Sequence, residues 1–195
     1  MSCMAHASVG STARRREVSP ILFGTVLFLA SELLFFGGLF AAYFTLRART
    51  SPWPPPDADL DVALATAGTA ILVISSFTMQ RGVARGREGE IGRLRAWTLA
   101  TMALGVIFLG IQLFDWSSLD FGVSSHAYGT LFYAMTGFHG LHVLAGVVLM
   151  VVVLGRSVQG AYRDGEVDGA EAVAYYWHFV DVVWIALYAT LFLLR

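Results

Sequence analysis

The side chains able to do chemistry in this sequence are few, and most of them stand inside long apolar runs. Glu32 lies in the middle of the run 20–46, His139 and His142 in the run 127–154, and His178 and Asp181 in the run 172–194. Gln112 stands near the end of the run 96–114, Asp115 and Trp116 follow that run, and Trp53 stands in a proline-rich stretch. Placing an ionisable side chain at the centre of a membrane helix costs roughly 2.5–3.5 kcal/mol, so each such group must face protein, water or a specific partner.

Glu32 falls about 12 residues into its run, roughly 18 Å at 1.5 Å per residue, which puts it near a bilayer midplane. It shares a helical face with Phe35, Phe36, Leu39 and Tyr43, while Gly37, Gly38, Ala41 and Ala42 form a region small enough for close helix contact. Two readings stand for it: a carboxyl hydrogen-bonded as glue between helices, and a role in lipid or proton handling. His139 and His142 are three apart on one stripe with Met135 and Gly146. Metal ligation would require further ligands on facing helices, and the membrane segments offer only His178 besides, so no metal site is assigned. The imidazoles are expected to hydrogen-bond across helices, with His139 or His142 paired to Glu32. His178 and Asp181, also three apart, form an acid and imidazole pair that is cheaper to bury together than either is alone. No serine or cysteine nucleophile stands at motif spacing, so a structural reading is preferred to a catalytic one and no catalytic residue is assigned. Gln112, Asp115, Trp116 and Trp53 read as interfacial polar and aromatic anchors.

The elements that position these groups follow from composition. Of 195 residues 56% are hydrophobic and 14% charged, with mean hydropathy +0.65, too apolar for an ordinary soluble fold. Five runs approach or meet the length of a spanning helix: 20–46, 62–79, 96–114, 127–154 and 172–194. The expected fold is therefore all-α, an integral membrane bundle of five transmembrane helices over 20–195, preceded by a polar tail over 1–19. The run after Arg14, Arg15 and Arg16 is too long for a signal peptide and carries Glu32, so it is read as a retained helix. Residues 51–56, Ser-Pro-Trp-Pro-Pro-Pro, forbid helix and form a loop after the first crossing; polar connections are expected over 81–95, 115–126 and 155–171. Alternate loops collect ten arginines on the side of the N-terminus against three on the other. That asymmetry predicts a cytoplasmic N-terminus and an outside C-terminus. Net charge is -1 and there is no Lys, which excludes a phosphate-neutralising surface and hence nucleic acid as a partner. Cys3 is the one cysteine, so neither a disulfide nor a thiolate cluster can form within the chain.

Two stretches are specific enough to resemble a known family. Thr136-Gly137-Phe138-His139-Gly140-Leu141-His142-Val143 and Tyr176-Trp177-His178-Phe179-Val180-Asp181-Val182-Val183-Trp184 closely resemble signature stretches of subunit III of heme-copper cytochrome c oxidases. Ser31-Glu32-Leu33-Leu34-Phe35-Phe36 and Gln112-Leu113-Phe114-Asp115-Trp116 are similar to two more, with Asp115 where the family usually has Glu. The resemblance runs from about residue 20 to the end and fits the short, five-helix bacterial form. It implies a non-redox accessory subunit of an aa3-type oxidase in the bacterial plasma membrane, docked on subunit I beside subunit II, with a respiratory supercomplex left open. It further implies structural phospholipids bound between the helices and support of proton uptake and sustained turnover. Heme and copper would belong to the partner subunits, with no cofactor on this chain, so the enzyme is the complex. On this resemblance Glu32 matches the family's buried, carbodiimide-reactive carboxyl. Quinol oxidase subunit III and an accessory protein of nitric oxide reductases are the neighbouring alternatives.

Overall fold

The structure, a computed structural model, describes residues 19–162 and 166–194. Residues 1–18 of the polar tail, with Cys3 and residues 14–16, and Arg163 and Arg195, lie outside the described residues. Five helices follow in chain order: α1 (Pro20–Arg47), α2 (Val62–Arg87), α3 (Ile91–Ser118), α4 (Ala127–Val158) and α5 (Asp168–Tyr188), the last running into a π-helical turn at Ala189–Leu193. All five are long and apolar enough to cross a membrane, and no strand occurs among the described residues.

Local chemistry sets the helix ends. Pro20 occupies the first turn of α1, where its missing N–H has no intrahelical acceptor to lose. The Asp61 carboxylate caps α2 by accepting from the Leu64 amide at 2.9 Å, and the His126 ring caps α4 by accepting from the Gly129 amide through Nδ1 at 2.8 Å. Gly89, with φ of 79°, ends the turn after α2 in the left-handed region.

Helices α2 and α3 run past the apolar windows 62–79 and 96–114, and the connection expected over 81–95 shrinks to residues 88–90. Apolar run length measures the slab of lipid, whereas the helix continues into water wherever its residues favour it. Here Arg85 and Arg93 sit on the extensions and pair with Glu88 and Glu90 at 2.7 and 2.9 Å.

Helices α2, α3, α4 and α5 pack in a closed ring, each against its two neighbours, and α1 lies outside it on α4 and α5. Trp177 of α5 fills the middle of the ring and is wholly buried. Its ring lies so close to Gly105 of α3 and Gly146 of α4 that a Cβ on either would approach it to 2.6 Å. Its indole N–H donates to Ser75 Oγ of α2 at 2.9 Å. One side chain thus touches all three other ring helices. The glycines on α1 behave differently: nothing lies within 4 Å of a Cβ built on Gly37 or Gly38, so that small-residue region faces outward in this chain.

At one end the proline-rich loop folds back on the bundle. Trp53 donates to Tyr43 Oη at 3.2 Å and stacks edge-on with Tyr128 at 5.2 Å, so this tryptophan is half-buried against α1 and α4. The Tyr43 and Tyr128 hydroxyls donate in turn to the carbonyls of Thr190 and Leu191 in the π-helical turn, at 3.3 and 3.4 Å.

Candidate functional site

Glu32 and His142 meet where α1 rests on α4. Glu32 Oε2 lies 2.9 Å from His142 Nε2, with the two side chains 20% and 17% exposed. The other ring nitrogen, Nδ1, is 2.7 Å from the Phe138 carbonyl one turn back. A carbonyl only accepts, so Nδ1 carries a proton. The short Nε2 to Oε2 contact then holds one further proton, shared by the carboxyl and the imidazole, in either a neutral or an ionic form. Phe36 packs edge-on to the His142 ring at 5.1 Å, Phe35 against Phe138 at 5.0 Å, and the Tyr176 hydroxyl donates to the His142 carbonyl at 3.0 Å. Helices α1, α4 and α5 are joined at this one point.

Of the two imidazoles considered for Glu32, His142 makes the contact. His139 is wholly buried, its ring held between Trp184 at 4.8 Å and Phe108 at 5.7 Å. Neither of its nitrogens has a hydrogen-bonding partner among the described residues.

His178 and Asp181 are joined through a third residue. Ser76 of α2 donates from Oγ to Asp181 Oδ2 and lies 2.9 Å from His178 Nδ1. A hydroxyl has one proton and spends it on the carboxylate, so His178 Nδ1 donates to Ser76. Helix spacing alone shows only residues on the same helix, so the bridging serine was missed. Ser75-Ser76 inside an apolar run was the available signal, since small hydroxyl residues in membrane helices commonly bond across to a neighbour. Trp184 donates to Thr69 at 2.9 Å and Thr66 Oγ1 meets Tyr188 Oη at 2.6 Å. Together these contacts make a polar seam along α2 and α5.

Gln112 and Asp115, near the C-terminal end of α3, point into the ring of helices, each 7% exposed. Gln112 Nε2 donates to the Thr136 carbonyl of α4 at 2.6 Å. Trp116 packs on Tyr133 at 5.3 Å. Among the described residues no three His, Cys, Asp or Glu side chains come together in a way that could hold a metal ion.

Sequence reasoning also passed over a crevice of about 770 Å³ between α1, α4 and α5. Phe28, Leu144, Val148 and Tyr176 form apolar walls, and Arg156 and Tyr162 stand at one end. Burial pushes the Tyr162 phenol up, against the opposing pull of Arg156, so its hydroxyl keeps its proton; that hydroxyl is buried and has no hydrogen-bonding partner among the described residues.

Apolar helices on the outside and hydrogen-bonded polar groups between them define a polytopic membrane bundle with a polar interior. Residues 11–194 match the family described as cytochrome c oxidase subunit III. A probable cytochrome c oxidase subunit 3 of Nocardia farcinica is 44% identical over 176 residues, covering 88% of this chain and 87% of the relative. That of Mycobacterium tuberculosis is 41% identical over the same shares. The cytochrome c oxidase subunit 3 of Thermostichus vulcanus is 40% identical over 172 residues, covering 88% and 86%. The chain belongs to the cytochrome c oxidase subunit III family. It is a multi-pass protein of the bacterial plasma membrane and part of the respiratory chain.

Proposed function

We propose that this chain is the non-redox accessory subunit of an aa3-type cytochrome c oxidase, docked on subunit I beside subunit II. It holds phospholipid between its helices and supports proton uptake and sustained turnover. The observation that carries this reading is the crevice between α1, α4 and α5. Its apolar walls suit acyl chains, the Arg156 guanidinium suits a phosphate, and the Tyr162 hydroxyl adds a second donor. The Glu32 and His142 pair lies one helical turn from Phe28 and contacts Tyr176, both of which line the crevice. The shared proton is thus held beside the lipid. Oxidation of cytochrome c and reduction of dioxygen belong to cofactors in the other subunits, and this chain's residues contribute packing, lipid contact and a proton-sharing pair.

Purification of the tagged chain in mild detergent tests the reading. It is expected to co-purify with a heme-bearing, copper-containing complex that oxidises reduced cytochrome c, and native mass spectrometry of the dissociated subunit is expected to find phospholipid on it. Recovery with a quinol-oxidising complex, or with no redox partner, would reject it.

A further inference from the structure

Gln112, Asp115 and Trp116 of α3 line a small cavity of about 20 Å³ between α2, α3, α4, α5 and the π-helical turn. Each carries a buried atom with no hydrogen-bonding partner among the described residues: Gln112 Oε1, Asp115 Oδ1 and Trp116 Nε1. The glutamine is oriented by chemistry, because its Nε2 donates to the Thr136 carbonyl at 2.6 Å and a carbonyl only accepts, which leaves Oε1 as the free acceptor. The three residues that line this small space therefore carry, between them, two unpartnered acceptors and one unpartnered donor.

We infer that this cavity is a binding site for a single structural water. The water accepts the Trp116 indole N–H and donates its two protons to Gln112 Oε1 and Asp115 Oδ1. The volume agrees, since one water needs roughly 10–15 Å³ on this measure and the cavity measures about 20 Å³. The inventory discriminates among ligands. A cation would serve both oxygens and meet the positive end of the indole N–H, whereas an anion would take the N–H and face two oxygens. Water can accept the one N–H and donate to both oxygens in that space. In this arrangement an ionisable side chain sits inside the helix ring with no ion-pair partner among the described residues, hydrated from within. The water links three side chains of α3, one of which, Gln112, also ties that helix to α4 through the Thr136 carbonyl.

The site is tested on the complete complex in lipid nanodiscs, by electron cryo-microscopy at a resolution that shows ordered water elsewhere in the protein. One density peak is expected within about 2.6–3.2 Å of all three atoms. A map that resolves the three side chains and lacks the peak would overturn the assignment, as would a peak at the shorter distances of about 2.0–2.4 Å that mark a bound cation. Asp115→Glu is the second arm: its added methylene fills the cavity, so the peak should vanish with the helices unmoved. A peak surviving unchanged in Asp115→Glu would show that the site is not built on the Asp115 carboxylate, which also overturns it. The map of the unaltered complex decides if that variant does not assemble. None of these outcomes bears on whether the chain assembles with an oxidase.

Discussion

The proton count at Glu32 and His142 makes the two ways of removing the carboxylate unequal. With His142 Nδ1 committed to the Phe138 carbonyl, Nε2 accepts from any donor placed where Glu32 Oε2 stands. Glu32→Gln supplies an amide N–H there and is expected to hold α1 in place. Glu32→Ala leaves a partly buried ring nitrogen unpaired, at a cost of up to about 1–3 kcal/mol. A detergent-wash series measuring subunit retained per oxidase should show Glu32→Gln near wild type and Glu32→Ala lost first; equal loss of both would remove the hydrogen bond from the account. His139 predicts the opposite sensitivity. Its ring packs between Trp184 and Phe108 with neither nitrogen bonded among the described residues, so its aromatic face carries its contribution. His139→Phe should leave the thermal midpoint of the complex within a few degrees of wild type, and a large drop would assign a role to a ring nitrogen. The sequence made Glu32, the two histidines, His178 and Asp181 visible because an ionisable group in an apolar run is conspicuous. Which imidazole meets Glu32, and that Ser76 stands between His178 and Asp181, depends on the rotation of one helix against another, and a single helix's periodicity does not contain that information.

At the scale of elements, the ring of α2 to α5 is organised around Trp177 and the two glycines that admit it. Gly146→Ala places a methyl group 2.6 Å from the indole and must move a side chain locked by its bond to Ser75. Overpacking of this kind costs about 1–3 kcal/mol. Differential scanning of the purified complex should show an earlier loss of this subunit for Gly146→Ala and for Gly105→Ala, while Gly37→Ala, on the open face of α1, should be silent. If all three behave alike, the wedge does not organise the ring. Helix number and order were legible because the lipid core demands long apolar runs. The extensions of α2 and α3 beyond that slab were not, because they lie in water and are stopped by Gly89 and an ion-pair network. The π-helical turn at Ala189–Leu193 left no mark in an apolar sequence either; it becomes intelligible only with Tyr43 and Tyr128 bonded to its carbonyls.

For the whole molecule, the loops divide between two ends. Asp57 lies 3.5 Å from His126, bringing the proline-rich loop to the start of α4, and Arg87 pairs with Glu171 at 2.6 Å where α2 ends and α5 begins. We propose that the second of these ends is cytoplasmic, on the excess of arginine there. The chain provides its own test, because Cys3 is its single thiol. In intact cells a membrane-impermeant maleimide should spare Cys3 and label Ser124→Cys, placed between α3 and α4 in a Cys3→Ser background; the reverse pattern would invert the topology. The outlying position of α1 also bears on how the protein is made. This helix leaves the ribosome before the other four, and the surfaces it rests on are made after it: Glu32 waits for a residue 110 positions later and Tyr43 for one 147 positions later. Through the rest of synthesis it must survive in lipid with its clasp unmade. Only Phe36 and Tyr43 of its 28 residues are buried even in the finished fold, so α1 is a helix that the bilayer can keep until its neighbours arrive.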